Sequence, residues 1–298
     1  MRAAKILSGI LSGLAIAACS CEPSPPPEYS AFGSPELISI IGYVGDAMEP
    51  FISRGGDFLF FNTNGGGPTD KDLFYASLVD GATFQYQGAI TDINTAEVDG
   101  APTLDAANTF YYVSTDGYDP PAANATLLAG AWNGNTVTGS APLAALTVTT
   151  SLILYFDVEA SPDGSTLYLS RGDFRSGGGV PSSADISFAV DSGGGFVLDA
   201  NGAAVMANVN TDKLEYAPAI SADGLELFFT RFDPGTAEAR IYRAVRSSGS
   251  GAFGPPQLVR AVEGFVEGPA FSPDEKSLYY HRKNTGTELY EIYRVTRP

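Results

Sequence analysis

The chain has 298 residues, 44% of them hydrophobic, with 17 Lys and Arg against 34 Asp and Glu. Its net charge of −17 argues against nucleic-acid or anionic-lipid binding, because such a surface repels phosphates, and favours cations, basic proteins or neutral ligands. Thirty-four Gly and 20 Pro, with 18 Phe and 15 Tyr, indicate many turns and many strands; no long segment beyond the N terminus carries a 3.6-residue apolar period.

Met1–Ala18 has a basic start, Arg2 and Lys5, then the apolar run Ile6–Ala18. That run has the length of a signal-peptide core and is too short for a mature membrane span. It ends Leu14-Ala15-Ile16-Ala17-Ala18-Cys19, which resembles the bacterial lipobox. The resemblance implies a lipoprotein signal peptide over 1–18, cleavage before Cys19 and a lipid anchor on that thiol. Ser20 at the second mature position, by analogy with enteric sorting rules, suggests the outer membrane, on the periplasmic side or the cell surface. Cys21, the other cysteine, lies beside the anchor, so no disulfide staples the domain. Residues 19–35 are Pro- and Ser-rich and read as an extended tether.

Residues 36–298 carry a repeat. Five segments end a short strand on an anchor residue: Glu49–Ser53, Ala101–Asp105, Asp157–Ser161, Ala217–Ser221 and Gly268–Ser272. The anchors fall at 53, 105, 161, 221 and 272, between 51 and 60 residues apart. A tight turn follows each, as in Ser161-Pro162-Asp163-Gly164 and Ser221-Ala222-Asp223-Gly224. There Pro presets φ, Asp bonds the local backbone and Gly accepts positive φ; Ala106-Ala107-Asn108 is a degenerate copy. A strong strand is expected next, over 58–62, 109–114, 166–170, 226–230 and 277–281. Its apolar residues are consecutive, as in Leu227-Phe228-Phe229, so both faces should be buried. Third strands are expected over 72–78, 125–131, 184–190, 240–245 and 289–295, and fourth strands over 83–90, 135–142, 195–199 and 252–259. The last copy ends after its third strand, and the segment 34–41 looks like the missing fourth. The expected fold is therefore all-β, a five-bladed β-propeller of four-stranded antiparallel blades, with its ring closed by the N-terminal strand.

A proline-led strand, an S-P-D-G-like turn, an aromatic strand and a D-I-Y-like strand resemble the WD40-like repeat of TolB-type bacterial propellers. Ala217–Tyr242, Val158–Leu169 and Gly268–Tyr293 carry the resemblance best. It implies a propeller lipoprotein of the envelope and leaves the ligand open, since the fold hosts scaffolds, peptide binders and non-catalytic domains of peptidases. The Asp-box of sialidase propellers differs, with its Gly two residues after the Asp.

Catalytic motifs are missing. There is no G-x-S-x-G elbow. The one histidine, His281, occupies the strand-end slot of Ser170 and Thr230 and reads as structural. The glycine runs Gly65–Gly67, Gly177–Gly179 and Gly193–Gly195 lack the Lys and helix of a P-loop. Asp70, Asp72, Asp116 and Asp119 could offer oxygen ligands to calcium, but solvated loop acids are the simpler reading, and no cofactor or metal is expected. What remains is acid near the start of each innermost strand: Glu49, Asp99, Asp157 with Glu159, Glu215, and Glu267 with Glu263 nearby. Arg171, Arg231 and Arg282 recur at the end of second strands. Either these groups pair between neighbouring blades and lock the ring, or they give a channel mouth of negative bias. The expected function is a monomeric, non-catalytic, lipid-anchored binder of an envelope protein or peptide. The rival is a carbohydrate-active propeller, glycan-binding or cleaving glycosides with paired carboxylates.

Overall fold

A computed structural model describes residues 31–64, 71–116, 118, 125–177 and 179–298. Cys19, Cys21 and most of the tether lie outside these residues, as do Asp70 and Asp119 of the calcium set. The structure is 51% strand and 3% helix.

The chain opens with β1 (Glu36–Leu37) and β2 (Ser39–Ile41), then β3 (Met48–Ile52), β4 (Phe58–Asn62), β5 (Leu73–Asp80) and β6 (Thr83–Ala89). Next come β7 (Asp99–Leu104), β8 (Thr109–Ser114), β9 (Leu127–Trp132) and β10 (Val137–Pro142). They are followed by β11 (Ile153–Ala160), β12 (Thr166–Asp173), β13 (Ala184–Asp191), β14 (Phe196–Leu198) and a short helix α1 (Gly202–Val205). The rest is β15 (Leu214–Ile220), β16 (Glu226–Asp233), β17 (Glu238–Val245), β18 (Gln257–Leu258), β19 (Val266–Phe271), β20 (Ser277–Lys283) and β21 (Tyr290–Thr296).

The sheets are β2-β6-β5-β4-β3, β10-β9-β8-β7, β1-β21-β20-β19 and an eight-stranded one. The last consists of two antiparallel runs, β11 to β14 and β15 to β18, joined by one parallel pair, Ala184 with Leu214. Among the described residues no sheet closes on itself. The leading strands pack side by side: β3 against β7 and β19, β11 against β7 and β15, and β15 against β19.

The second strand of each run is buried on both faces. Leu59, Phe60 and Phe61, like Leu227, Phe228 and Phe229, are fully buried. The two faces of β4 pack against two different sheets: Phe60 meets Trp132 of β9 edge-on at 4.9 Å, and Leu59 and Phe61 share a cluster with Tyr279 of β20. Each such aromatic contributes about 1.5–3 kcal/mol by leaving water. The turns behave as their residues dictate. Asp163 accepts from the Ser161 hydroxyl at 2.6 Å and the Ser165 amide at 3.0 Å, with Gly164 at φ 70°. In the degenerate copy Asp105 itself accepts from the amides of Ala107 and Thr109 at 2.8 Å.

Two expectations need correction. The segment 34–41 does not form one fourth strand. Glu36 and Leu37 pair with Arg294 and Tyr293 of β21, but Ser39–Ile41 runs parallel to β6 in a different sheet. Successive amides of a strand point to opposite sides: Ile38 donates to Ile292 and Ser39 to Ala82, both at 2.9 Å. The segment thus bridges the sheets of β21 and β6, with Ile38 buried between. The strand expected at 252–259 shrinks to Gln257–Leu258. Pro255 and Pro256 have no amide for a ladder, and Phe253 instead plugs the core, its amide donating to Val205 of α1.

Candidate functional site

The site follows from a defect shared by the leading strands. Each of β3, β7, β11, β15 and β19 slips register against its neighbour near its middle. In four of them the slip coincides with X-Pro: Glu49-Pro50, Ala101-Pro102, Ala217-Pro218 and Gly268-Pro269. Proline supplies no ladder hydrogen bond, and the preceding residue turns left-handed, at φ 50°, 52°, 50° and 62° respectively. Gly268 must be glycine, since a Cβ there would meet His281 Nδ1 at 3.0 Å and Glu49 Cα at 3.2 Å.

The bulge frees one amide per strand, and a side chain on the second strand of a neighbouring run takes it. Ala101 donates to Asn62 Oδ1 at 3.3 Å, Ala217 to Ser170 Oγ at 3.1 Å and Gly268 to Thr230 Oγ1 at 3.1 Å. Glu49 donates to His281 Nδ1 at 3.1 Å, so the histidine does the work of a serine or threonine. The strand β11 departs from the pattern. Val158 replaces proline, keeps its amide, and donates to Asp157 Oδ1 at 2.9 Å.

The residues at and just before the bulges line a cavity of about 450 Å³. Glu49 of β3, Asp157 of β11 and Glu267 of β19 enter it, with Lys71, Tyr216 and His281. Phe156, Phe174, Phe232 and Phe265 form much of its wall. Below it, all five leading strands surround a passage of only about 30 Å³, room for about one water. Arg54 lies beyond this passage. It donates to the carbonyls of Leu104 at 2.8 Å and Ala160 at 2.5 Å, and to Glu159 Oε1 at 3.2 Å.

The polar groups of the cavity are linked. Lys71 Nζ stands 3.2 Å from Glu49 Oε1, and the Ala101 amide donates to Glu49 Oε2 at 3.1 Å. The Tyr216 hydroxyl donates to Glu267 Oε1. His281 Nδ1 accepts an amide, so Nε2 carries the proton and donates to Glu267 Oε2 at 3.3 Å. Burial alone would raise the Glu49 carboxyl, but the Lys71 ammonium and the Ala101 amide outweigh it and hold Glu49 below its ordinary value. Asp157 goes the other way: burial, then the charge of Glu49, push its carboxyl well above the usual Asp range. Burial opposes the charge on Lys71, yet Glu49 holds it above the ordinary lysine value. Two acids with environments of opposite sign share one cavity, an arrangement typical of functional sites.

The ten residues singled out in the sequence separate. Glu49, Asp157 and Glu267 line the cavity. Glu159 faces the narrow passage and accepts from Arg54 and from Thr103 Oγ1 at 2.7 Å. Glu215 is fully buried away from it, bonded to Thr211 and to Arg231 Nε at 2.6 Å. Asp99 is its counterpart, bonded to Thr95. The arginines are not at the cavity. Arg231 pairs across its own sheet, from β16 to β15, where pairing between neighbouring blades was expected. Arg282 lies over the Tyr293 ring at 3.8 Å within one sheet, and Arg171 is exposed. Glu263 is exposed as well.

Lys71, Tyr216 and the phenylalanine walls escaped notice in the sequence. One signal was present. The cavity acids stand four or five residues before their anchors, whereas Asp99 and Glu215 stand six before theirs. With a period of two modified by the bulge, that offset decides which side chains face the axis. Among the described residues no group of three His, Cys, Asp or Glu side chains is arranged to hold a metal ion.

No family model matches the chain, and no curated protein matches it in sequence. Solved structures do. The endo-arabinase from Bacteroides thetaiotaomicron aligns at TM-score 0.54 and 14% identity, over 88% of this chain and 97% of that one. The catalytic domain of the Coprinopsis cinerea GH62 α-L-arabinofuranosidase aligns at 0.52 and 13%, over 90% and 97%. TolB from Acinetobacter baumannii aligns at 0.45 and 14%, over 85% of this chain and 52% of that one, so this chain spans about half its length. The chain has a propeller-type fold. At these identities the likeness concerns the fold alone, and the 0.45 alignment does not single out TolB among propellers.

Proposed function

We propose that the protein is an envelope lipoprotein, anchored through Cys19, whose domain is a five-bladed propeller that binds a ligand in the cavity at one mouth of its channel. Each four-strand run is then one blade, and Glu36–Leu37 completes the last. The observation that carries the reading is convergence: acids from three separate strands, Lys71, Tyr216 and aromatic walls meet in one cavity of about 450 Å³. Groups drawn so far out of water need a reason other than stability, because well-packed apolar residues would serve the fold as well. The ligand is a part of an envelope protein or peptide, bound without turnover.

Thermal shift of the parent and of Lys71→Met and Glu267→Gln, against short peptides and oligosaccharides, tests this. Ligands that stabilise the parent should leave the variants unmoved. A panel that shifts nothing, or shifts the variants equally, removes the cavity as the site.

A second reading is glycoside cleavage. It is favoured by the opposed environments of Asp157 and Glu49, which suit a general acid and a general base, and the fold likeness to an endo-arabinase and an arabinofuranosidase suggests arabinose-containing glycans. Release of reducing sugar from an arabinan and xylan panel, lost in Asp157→Asn, would establish it. No turnover by the parent would sink it.

A further inference from the structure

Resting on the reading of the cavity as a ligand site, we infer that its ligand presents an organic cation, a primary ammonium or a guanidinium on a flat or apolar body, with Asp157 as counter-ion. A lysine or arginine side chain of a peptide has this chemistry.

Donors and charge are unevenly shared among the cavity acids. Asp157 is 9% exposed and lines both the cavity and the passage below it. Among the described residues its one hydrogen bond comes from the Val158 amide to Oδ1; its other oxygen receives none. The remaining acids are served: Glu49 by Lys71 and Ala101, Glu267 by Tyr216 and His281. Both ring nitrogens of His281 are engaged. Three carboxylates therefore face one ammonium, and the acceptor surplus sits at Asp157. Ionised, that carboxylate needs a positive partner, since an unpaired buried charge is costly. A neutral sugar would supply donors but no charge.

The walls agree. Phe156, Phe174, Phe232, Phe265 and Tyr216 border the same space, and ring faces attract ammonium and guanidinium groups once water is excluded. The protein's net charge of −17 draws cations toward its surface.

Binding is then coupled to a proton. The charged and titratable groups acting on Asp157 are Glu49, Lys71 and Glu159, with Tyr216, Glu267 and His281 sharing the cavity. Burial and the charge of Glu49 favour the protonated acid in the empty cavity. An arriving ammonium keeps its own protons and forms an ion pair with the carboxylate, while the Asp157 proton leaves to solvent. Affinity rises with pH up to the raised value of Asp157 and levels off above it.

The test is calorimetry on the full chain in detergent, with benzylamine and benzylguanidine as cations, benzyl alcohol as the neutral isostere, and a neutral arabinose disaccharide. Titrations use paired buffers of different ionisation enthalpy, from about pH 5 to about pH 8. The expected result is a preference for the cations of about tenfold or more, with proton release at the lower pH. Asp157→Asn should abolish both while its melting temperature is held or raised, and Glu267→Gln should weaken cation binding. Equal binding of amine and alcohol, or a preference that survives in Asp157→Asn, overturns the inference. Binding of only the neutral probes also overturns it and leaves the cavity standing as the site. Binding of none overturns both.

Discussion

Asp157 and Glu159 are two residues apart on β11, so they face the same axial passage. Both are acids, both are nearly buried, at 9% and 6% exposed, and burial raises both carboxyls. Their surroundings differ in donors: Glu159 has Arg54 and Thr103, and Asp157 has the Val158 amide. Toward Glu159, Arg54 reaches in from the turn after β3, stacks on Phe51 at 4.9 Å, and ties two strands' carbonyls to the acid. Toward Asp157 no cation of the described residues arrives within bonding distance; Lys71 is held by Glu49 instead. One end of the passage is finished as structure, and the other is left for an occupant. The lesson is that buried acid alone does not mark a site. What marks it is acid that borders a cavity and receives no cation from the described residues.

The largest test of that contrast is Arg54→Ala. It strands a buried carboxylate, Glu159, whose side chain is 8% exposed against 16% for Arg54, and it should cost about 3–5 kcal/mol in denaturant unfolding. A loss under about 1 kcal/mol would mean the closed end is not held by this pair. The double replacement Arg54→Met with Glu159→Leu should recover most of the loss, because apolar packing replaces the pair and its desolvation cost.

Glu215→Gln comes next. It leaves Arg231 without its carboxylate in a site that is fully buried on the acid side, and should cost about 2 kcal/mol. Ligand binding in the cavity should be unchanged, since Glu215 lies outside it.

Asp157→Asn should stabilise the protein at neutral pH, by about 1 kcal/mol. The sign follows from linkage. A carboxyl raised in the folded state contributes stability that is fully present below its unfolded value and is lost as pH rises through the folded one. The variant lacks that loss, so its advantage should grow as pH rises out of the normal carboxylate range. An advantage independent of pH would break the contrast between the two ends.

The smallest effect belongs to Asp99→Asn. Asp99 and Glu215 share a Thr-capped corner: Thr95 and Thr211 each donate an amide and a hydroxyl to their acid. Across the ladder from Glu215 stands Arg231; across from Asp99 stands Ser114. Among the described residues the buried Asp99 Oδ1 has no partner within bonding distance, and burial raises the carboxyl. Neutralising it should change stability at neutral pH by less than about 1 kcal/mol, with a flatter pH profile. A loss as large as that of Glu215→Gln would mean that the Thr cap, not the Arg, carries the corner.

Much of the fold was legible because its signals are local. Pro-Asp-Gly and Ala-Asp-Gly fix their turns, and consecutive apolar residues such as Leu278-Tyr279-Tyr280 mark strands buried on both faces. The split of β1 from β2 was not legible, because it depends on two sheets offering edges to alternate amides of a single segment. Helix α1 and the plug at Phe253 were missed for the same reason: their hydrogen bonds are set by tertiary neighbours. In the site, Glu49, Asp157 and Glu267 were within reach because they recur near the anchor. Lys71 was not, because it enters from the approach to a third strand, where the copies share no pattern. The arginines misled, since an Arg at a strand end finds its acid directly across the ladder, as Arg231 finds Glu215.

The most direct measurement is an NMR titration of the side-chain carboxyl carbons of Asp157 and Glu49 in the ligand-free protein. The expected result is divergence: Asp157 titrates well above the usual Asp range and Glu49 below the usual Glu range. On adding benzylamine, the Asp157 midpoint should fall and the Glu49 midpoint should hold. Two midpoints in the ordinary carboxylate range, unmoved by the amine, would contradict the claim that this end of the passage is kept open for a cation.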